Sequence, residues 1–505
     1  MNAPTSRPRH PRRTTLADLA STVGGLSTQG GDGADDTVVT GVSLSSQRVR
    51  PGDLYAALPG ARVHGVDYAA GAVEAGAVAV LTDPAGADRA PAGVPLVVAD
   101  DPRSLLGRLA ARVYGDPATR MRMVGVTGTQ GKTTTTRLAE SGLTAAGVPS
   151  AVIGTVGTRV RGTDVETTLT TPEAPDLHGL FAAMVEQEVD TCLMEVSSHA
   201  LVMGRVDGIV FDVAVFLNLG RDHLDFHADV EDYYRAKASL FTPERARLAL
   251  VNLDDERGRR LATETTLPVR TFSADGAEGA DWRAVDVELH PQGSRFRVLG
   301  PGGVDVPAAC PIPGGFNVAN TLAAVAACAE AGLDAATVAD GIATGAGVPG
   351  RLERVEAGQD FVVVVDYAHK PDAVEAAVAA LRPVTAGKVV VVLGAGGDRD
   401  PGKRPIMGEI ASRLADVLVV TDDNPRTEDP AAIRAAVLAG ATGGAEVLEV
   451  GDRRAAIREA LGRARAGDVV LVAGKGHETG QEVAGVVHPF DDRQVVREEL
   501  EAVRS

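Results

Sequence analysis

The chain is poor in cysteine, lacks any long apolar run and carries no excess of basic charge, and each lack removes a class of protein. Only Cys192, Cys310 and Cys328 occur in 505 residues, too few and too scattered for a disulfide framework or a zinc site. Cys192 and Cys328 lie in apolar runs and read as small buried hydrophobes. No stretch of about 18 apolar residues is present, so no membrane-spanning helix is expected. Arg7, Arg9, Arg12 and Arg13 sit among prolines, but no apolar segment follows them; residues 1–14 therefore read as a disordered tail and not as a signal peptide. Lys and Arg number 50 against 68 Asp and Glu, a net charge of −18, which argues against a nucleic-acid surface. No internal repeat or low-complexity tract is visible.

What is present is the composition of a soluble globular enzyme, 44% apolar and 23% charged, expected in the cytoplasm. The length suggests about three domains at ~150 residues each. The element pattern divides them as 15–118, a small α/β domain; 119–347, a central α/β domain; and 348–505, a second doubly wound α/β domain entered through Val348-Pro349-Gly350.

The strongest chemical signal is Val-Thr-Gly-Thr-Gln-Gly-Lys-Thr-Thr at 126–134. An apolar strand precedes it and a proline-free helical segment follows, so Gly128, Thr129, Gln130 and Gly131 form a turn from strand to helix. Such a turn lets backbone N–H groups approach a polyphosphate at the positive end of the helix. Lys132 then supplies a mobile charge for the phosphates, Thr133 a hydroxyl for Mg²⁺, and Thr134 continues the helix. Val126 occupies the place where the usual phosphate-loop pattern has its first glycine. The alternative is an ordinary glycine-rich turn.

Alternating strands and helices predict a parallel sheet with helices on both faces, whose ligands sit beyond the carboxyl ends of the strands. Glu195, Ser197, Ser198 and His199 follow one strand; Asn218, Arg221, Asp222, His223, Asp225 and His227 follow the next. A carboxylate and an imidazole near Thr133 make a plausible Mg²⁺ shell from Glu195 and His223. Lys237, on the helix 229–241, reads from spacing alone as a solvated lysine. Residues 282–307 suggest a small antiparallel flap. Asn317 and Asn320 share one helix face, to read an adenine edge or to cap the helix. In the third domain, polar clusters again follow strands, at 366–369, 394–404, 423–426 and 474–478. The loops 43–47 and 60–65 of the first domain are candidate ligand loops only.

With the segments 127–134, 195–205, 218–227, 316–320, 349–353 and 366–369 all in this order, the chain resembles the Mur ligases. These are three-domain, ATP-dependent, amide-bond-forming enzymes of peptidoglycan precursor synthesis that act through an acyl phosphate. The resemblance implies ATP and Mg²⁺, with Asn317, Arg351 and Asp366 joining the phosphate loop around ATP. It implies that Lys237 is carbamylated and bridges to a second Mg²⁺ beside Glu195 and His223. Lys132, Glu195, His223 and Lys237 are thus the implied catalytic set, and Thr133, Glu195, His223 and Lys237 the metal set. Leu44, Ser46, Thr170, Thr171, Ser197 and Arg205 match positions that hold a UDP-N-acetylmuramoyl dipeptide.

Within the family, Asp423-Asn424-Pro425-Arg426 and Gly-Lys-Gly-His-Glu at 474–478 resemble the form that adds meso-diaminopimelate. Arg399, Asp423, Asn424, Pro425, Arg426, Gly474 and Glu478 are its implied seat. The two arginines suit the distal carboxylate and Asn424 with Glu478 the ammonium. Three positions depart from the family pattern: Ser45 and Gln47 replace the Asp and Arg of Asp-Ser-Arg, which keeps the middle serine, Ser46, and Met203 replaces a glutamine. Small-molecule substrates, a monomer, and domain closure about 348–350 complete the expectation. The alternatives are the lysine-adding member, or a phosphate-loop ATPase or kinase that forms no amide bond.

Overall fold

Short, wholly buried strands such as Asp53–Ala56 and Ala79–Thr82 have the apolar run of parallel sheet covered on both faces. The computed structural model describes residues 6–220, 222–223 and 225–504, so Arg221 and the first five residues lie outside the described residues. The chain forms two compact units. One comprises Met1–Arg283, Gly300–Val304 and Leu322–Gly341, the other Ala284–Leu299, Asp305–Thr321 and Ile342–Ser505.

The first unit holds two main sheets. In the smaller, Leu96–Val98, Ala79–Thr82, Asp53–Ala56 and Gly41–Ser43 run parallel in that order, and Ser27–Gln29 pairs antiparallel on the Leu96 side. Successive strand residues face opposite ways. Leu54 and Ala56 therefore pack with Leu16, Leu19, Leu106 and Leu109 of the helices Leu16–Val23 and Pro102–Val113, while Tyr55 packs with Ala69 and Ala72 of Ala69–Glu74.

The larger sheet has a parallel core in the order Ser150–Ile153, Thr191–Glu195, Arg122–Thr127, Val213–Phe216, Ala249–Asn252 and Val269–Ser273. Arg122–Thr127 thus lies between Thr191–Glu195 and Val213–Phe216, and the polar residues after all three strands emerge side by side. This is the open parallel sheet expected, the kind of sheet whose ligands sit beyond the carboxyl ends of its strands. The stretch 242–281, silent in the sequence pattern, adds two strands and the helix Glu256–Glu264. That helix is largely polar and buries only Gly258 and Leu261.

In the second unit, Val362–Asp366, Val469–Ala473, Val389–Leu393, Val417–Val420 and Glu446–Glu449 form a parallel sheet in that order. Glu353–Arg354 pairs antiparallel on its first edge. Its core is built largely of valine, including Val363, Val365, Val390, Val392, Val419, Val470 and Val472. The hairpin Gly480–Val483 with Val486–Pro489, and the helix Asp492–Arg504, were not apparent from the sequence.

The tail expectation fails for its described part. Arg7 is buried, 9% exposed, and pairs with Asp53, while the amides of Arg9 and His10 donate to Glu186. A buried ion pair and two amide anchors hold a segment whose local composition has no preference for order. All three cysteines are buried and free, and among the described residues no helix is long and apolar enough to cross a membrane.

Candidate active site

The strand Arg122–Thr127 ends in the turn, and the helix Lys132–Ala145 starts at once, with Gly131 at φ 87° as its N-cap. The turn is braced from the next strand: the Gln130 amide donates to Asn218 Oδ1 (2.9 Å), Asn218 Nδ2 returns a bond to Gln130 O (3.1 Å), and the Thr129 amide donates to Asn218 O (3.0 Å). Lys132 Nζ lies folded over the turn, donating to Gly128 O (2.7 Å) and Thr129 O (3.1 Å).

Lys237 corrects the reading from spacing. It is only 1% exposed, its Nζ donates to Gly128 O at 2.9 Å, and it sits 4.7 Å from the centre of the Tyr233 ring. Burial, and then the charge of Lys132, hold its pKa well below the usual lysine value, against the opposite pull of Asp222. The helical pattern showed which face Lys237 shares with Tyr233; it did not show that the glycine turn covers that face.

Glu195 is buried at the end of its strand. Its Oε1 accepts the Thr155 amide (2.8 Å) and its Oε2 the Thr155 hydroxyl (3.1 Å). Gly154 permits this approach, since a Cβ there would lie 2.1 Å from Glu195 Oε1. The turn carrying Thr155 is clamped by the buried Arg137, whose Nη2 donates to Val156 O and Gly157 O, both at 2.9 Å. Arg137 lies on the phosphate-loop helix, so that helix also orients the carboxylate. Neither Arg137 nor Thr155 was singled out from the sequence, because the contact joins residues 40 apart.

The expected substrate residues of this unit gather around the same strand end. Thr170 Oγ1 lies 3.0 Å from Thr155 Oγ1, Thr171 Oγ1 donates to Glu195 O (2.8 Å), and the Ser197 amide donates to Thr171 Oγ1 (3.3 Å). Arg205 reaches Thr171 O (3.3 Å) and Glu173 (2.8 Å). Leu44 and Ser46 lie elsewhere, on the half-buried loop that follows Gly41–Ser43.

The histidines separate by environment. His227 is buried, with Nδ1 3.1 Å from Asp232 and Nε2 3.0 Å from Ser198 Oγ, a satisfied structural residue. His223 adopts φ 53°, with its Nε2 3.4 Å from Asp222 and its ring 4.9 Å from that of His199. A left-handed histidine is strained, and such strain concentrates at functional sites. Among the described residues no group of three His, Cys, Asp or Glu side chains converges as a metal site. The expected donors are instead a hydroxyl from Thr133, a carboxylate from Glu195 and an imidazole from His223, and this mainly oxygen chemistry suits Mg²⁺.

In the second unit Asn317 Nδ2 donates to Pro313 O (2.7 Å), and Asn320 Nδ2 to Asn317 Oδ1 (3.0 Å), so in this structure the two amides brace the helix entry. Asp366 accepts the amides of Leu352 (2.7 Å) and Ala368 (2.8 Å); burial raises its pKa against the lowering effect of Arg351. The Arg351 guanidinium lies 4.9 Å from the centre of the Tyr367 ring.

The 423–426 and 474–478 clusters meet. Asn424 Nδ2 donates to Glu478 Oε2 (2.8 Å), and the fully buried Lys475 joins Asn424 Oδ1 (3.1 Å) and Glu478 (3.3 Å). A Cβ on Gly474 would lie 2.3 Å from Asp423 Oδ2. Pro425 leads into Arg426, which takes φ 54°; its amide donates to Glu482 O (3.0 Å) and its Nη1 to Gly397 O (2.6 Å). Arg399 is exposed, two residues beyond that anchor. The sequence reading assigned no role to Lys475 or to Arg453. Arg453 is buried against Asp492 (2.7 Å) and bonds Ala473 O (2.9 Å) and Asp422 O (3.3 Å), so it ties together the strand ends that carry both clusters.

Comparison with known proteins matches three domain descriptions in chain order: "Mur ligase family, catalytic domain" over 38–114, "Mur ligase middle domain" over 126–328, and "Mur ligase, glutamate ligase domain" over 350–476. A UDP-N-acetylmuramoyl-L-alanyl-D-glutamate–2,6-diaminopimelate ligase of Streptomyces avermitilis is 56% identical over 503 residues, covering 98% of each chain. The protein of the same name from Streptomyces coelicolor is 55% identical over 502 residues, again covering 98% of each. A solved structure of a ligase of that name superposes with a TM-score of 0.71 at 32% identity, covering 98% of this chain and 100% of the other.

Proposed function

Because the chain belongs to the Mur ligase family, whose members form amide bonds with ATP, we propose that it adds meso-diaminopimelate to UDP-N-acetylmuramoyl-L-alanyl-D-glutamate. The observation that carries the choice of amino acid is the meeting of Asn424 with Glu478 next to Arg426. An amide and a carboxylate suit an ammonium, a guanidinium suits a carboxylate, and diaminopimelate presents both at its far end where lysine presents only an amine. The names of the relatives support the same reading.

In this proposal residues 15–118 bind the UDP-sugar, 119–347 bind ATP, and 348–505 bind the amino acid. The D-glutamate γ-carboxylate attacks the γ-phosphorus of ATP and releases ADP. The diaminopimelate amine then attacks the acyl phosphate, and phosphate leaves as the amide forms. Lys132 exchanges its carbonyl partners for phosphate oxygens, and the amides of the turn take the rest of the charge. Thr133, Glu195, His223 and a carbamylated Lys237 would hold Mg²⁺, which when bound neutralises charge on the migrating phosphoryl group. Arg205, Thr170, Thr171 and Ser197 orient the dipeptide, and Asn317, Arg351 and Asp366 contact the nucleotide. A neutral Lys237 forms the carbamate by N–C bond formation with CO₂ and loss of one proton. The protein acts in the cytoplasm, as a monomer.

Phosphate release measured with each amino acid in turn tests the reading. The expected result is release only when ATP, the UDP-linked dipeptide and meso-diaminopimelate are all present. Preference for lysine would overturn the specificity, and release without any amine would overturn the ligase reaction.

A further inference from the structure

We propose that residues 6–13 are a strap, and that Arg7 is a positioning residue for the sugar nucleotide. The proposal rests on the functional reading above, in which Leu44 and Ser46 lie along that substrate. Gly41–Ser43 is an edge strand, and an edge leaves backbone groups without a strand partner. Both such groups of Val42 are met by side chains: its amide donates to Tyr114 Oη (3.3 Å), and its carbonyl accepts from Arg7 Nη2 (2.8 Å). The same guanidinium donates through Nη1 to both oxygens of Asp53, at 2.7 Å each.

The cavity for Arg7 is built into the fold. A Cβ at Gly41 would lie 2.4 Å from Asp53 Oδ1, 3.1 Å from Arg7 Nη1 and 3.2 Å from Tyr114 Oη, so only glycine leaves room for the ion pair. Asp53 Oδ2 also accepts the Arg50 amide at 2.8 Å. Arg7 and Asp53 therefore fasten both ends of the loop 44–52, on which Leu44 and Ser46 lie.

The far end of the strap is fastened separately. The amides of Arg9 and His10 donate to Glu186 Oε2 (2.8 Å) and Oε1 (2.7 Å). A carboxylate in the last turn of a helix is disfavoured by the macrodipole, and these two donors offset that cost. The helix Ala174–Glu186 follows directly on Thr170, Thr171 and Glu173, and its Asp176 accepts from Arg48 of the same loop at 3.1 Å. The strap thus spans from the sugar-nucleotide loop to the helix that follows the dipeptide residues. Its effect is to hold one part of a long substrate's site in register with the other before binding, which lowers the ordering cost of association.

The test compares Arg7→Ala, Arg7→Lys and Glu186→Gln with the unaltered protein, by steady-state kinetics, calorimetric titration with the UDP-linked dipeptide, and hydrogen exchange. Arg7→Ala removes charged hydrogen bonds and should raise KM for the sugar nucleotide about tenfold, with kcat and the KM for ATP held within about twofold. Exchange of the amides at 42–46 should quicken in the same variant. Arg7→Lys, which keeps the charge but not the fork, should lie between. Glu186→Gln leaves the buried pair intact and should raise the same KM by a smaller factor. A lowered melting temperature with unchanged KM in Arg7→Lys and Glu186→Gln would overturn the proposal even if Arg7→Ala does not fold. Failure of the unaltered protein to bind the UDP-linked dipeptide would overturn the functional reading instead, and unquickened exchange at 42–46 would overturn the strap on its own.

Discussion

The side-chain nitrogens of Lys237 and Lys132 donate to one acceptor, the carbonyl oxygen of Gly128, at 2.9 and 2.7 Å. Burial, and then the repulsion between two ammonium groups on one oxygen, lower the pKa of Lys237. Lys132 is half-buried, whereas Lys237 is enclosed. The glycine turn thereby sets two lysines on one carbonyl, of which the enclosed Lys237 is the one whose charged form is disfavoured.

That amine has a pH signature. The native Lys237 pKa lies well below its ordinary value, so between the native value and about 10.4 the unfolded chain binds one more proton than the folded one. Stability should rise with pH through that window, by at most about 1.4 kcal/mol per pH unit from this group. In Lys237→Met this part of the slope should vanish in melting curves taken across that window in CO₂-free buffer, where the amine is unmodified, while ligase activity in the presence of CO₂ falls by roughly a hundredfold or more. A ¹³C NMR carbamate signal from the unaltered protein under ¹³CO₂, absent from Lys237→Met, checks the modification directly.

Thr155 supplies both of the hydrogen bonds that the structure shows on the Glu195 carboxylate. Thr155→Val removes the hydroxyl and leaves a buried carboxylate oxygen with one donor fewer, at about 1–3 kcal/mol. Activity should drop about ten- to a hundredfold by the same measure, and Thr155→Ser should restore most of it. Arg137→Gln, which loosens the turn carrying Thr155, should show the same direction with a smaller loss in a phosphate-release assay.

His178 is completely buried, with Nε2 3.1 Å from Asp207 O. Burial pushes its pKa down to about 4, against smaller upward contributions from the Asp207 carbonyl and the charges of Asp116 and Asp207. Below pH 6.5 the unfolded chain therefore takes up a proton that the native imidazole refuses, and stability falls as pH drops toward about 4. Above pH 6.5 the group contributes no slope. Urea unfolding should show about 2 kcal/mol lost between pH 7 and pH 5 from this residue, and His178→Gln should remove that loss.

Arg426 sits in the left-handed region with its guanidinium on Gly397 O. Arg426→Ala should raise the KM for meso-diaminopimelate at least about tenfold, as expected for loss of a charged hydrogen bond, and leave the KM for ATP unchanged. Lys475→Met, which removes the buried cation between Asn424 and Glu478, should move the same constant in the same direction. Initial-rate measurements with each substrate varied in turn separate the two constants.

Much of the fold could be read without coordinates because its signals are local. The phosphate loop is nine consecutive residues, and the parallel strands are short apolar runs separated by helical spacing. The readings that failed concern long-range pairs. Arg7 looked like part of a disordered tail because its partner Asp53 is 46 residues away, and Lys237 looked solvated because its acceptor Gly128 is 109 residues away. Glu256–Glu264 escaped notice since its two buried residues, Gly258 and Leu261, are too few to mark a face.

The order of strands, the glycine turn and the types of donor at the strand ends are properties of the sequence by itself, because periodicity and backbone freedom act over a few residues. Charge state and orientation are not. Whether Lys237 is an ammonium or an amine, where Glu195 points, and whether the first residues are loose or fastened depend on desolvation and on partners supplied from distant parts of the chain. Those exist only once the sheets have formed and the helices have closed over them.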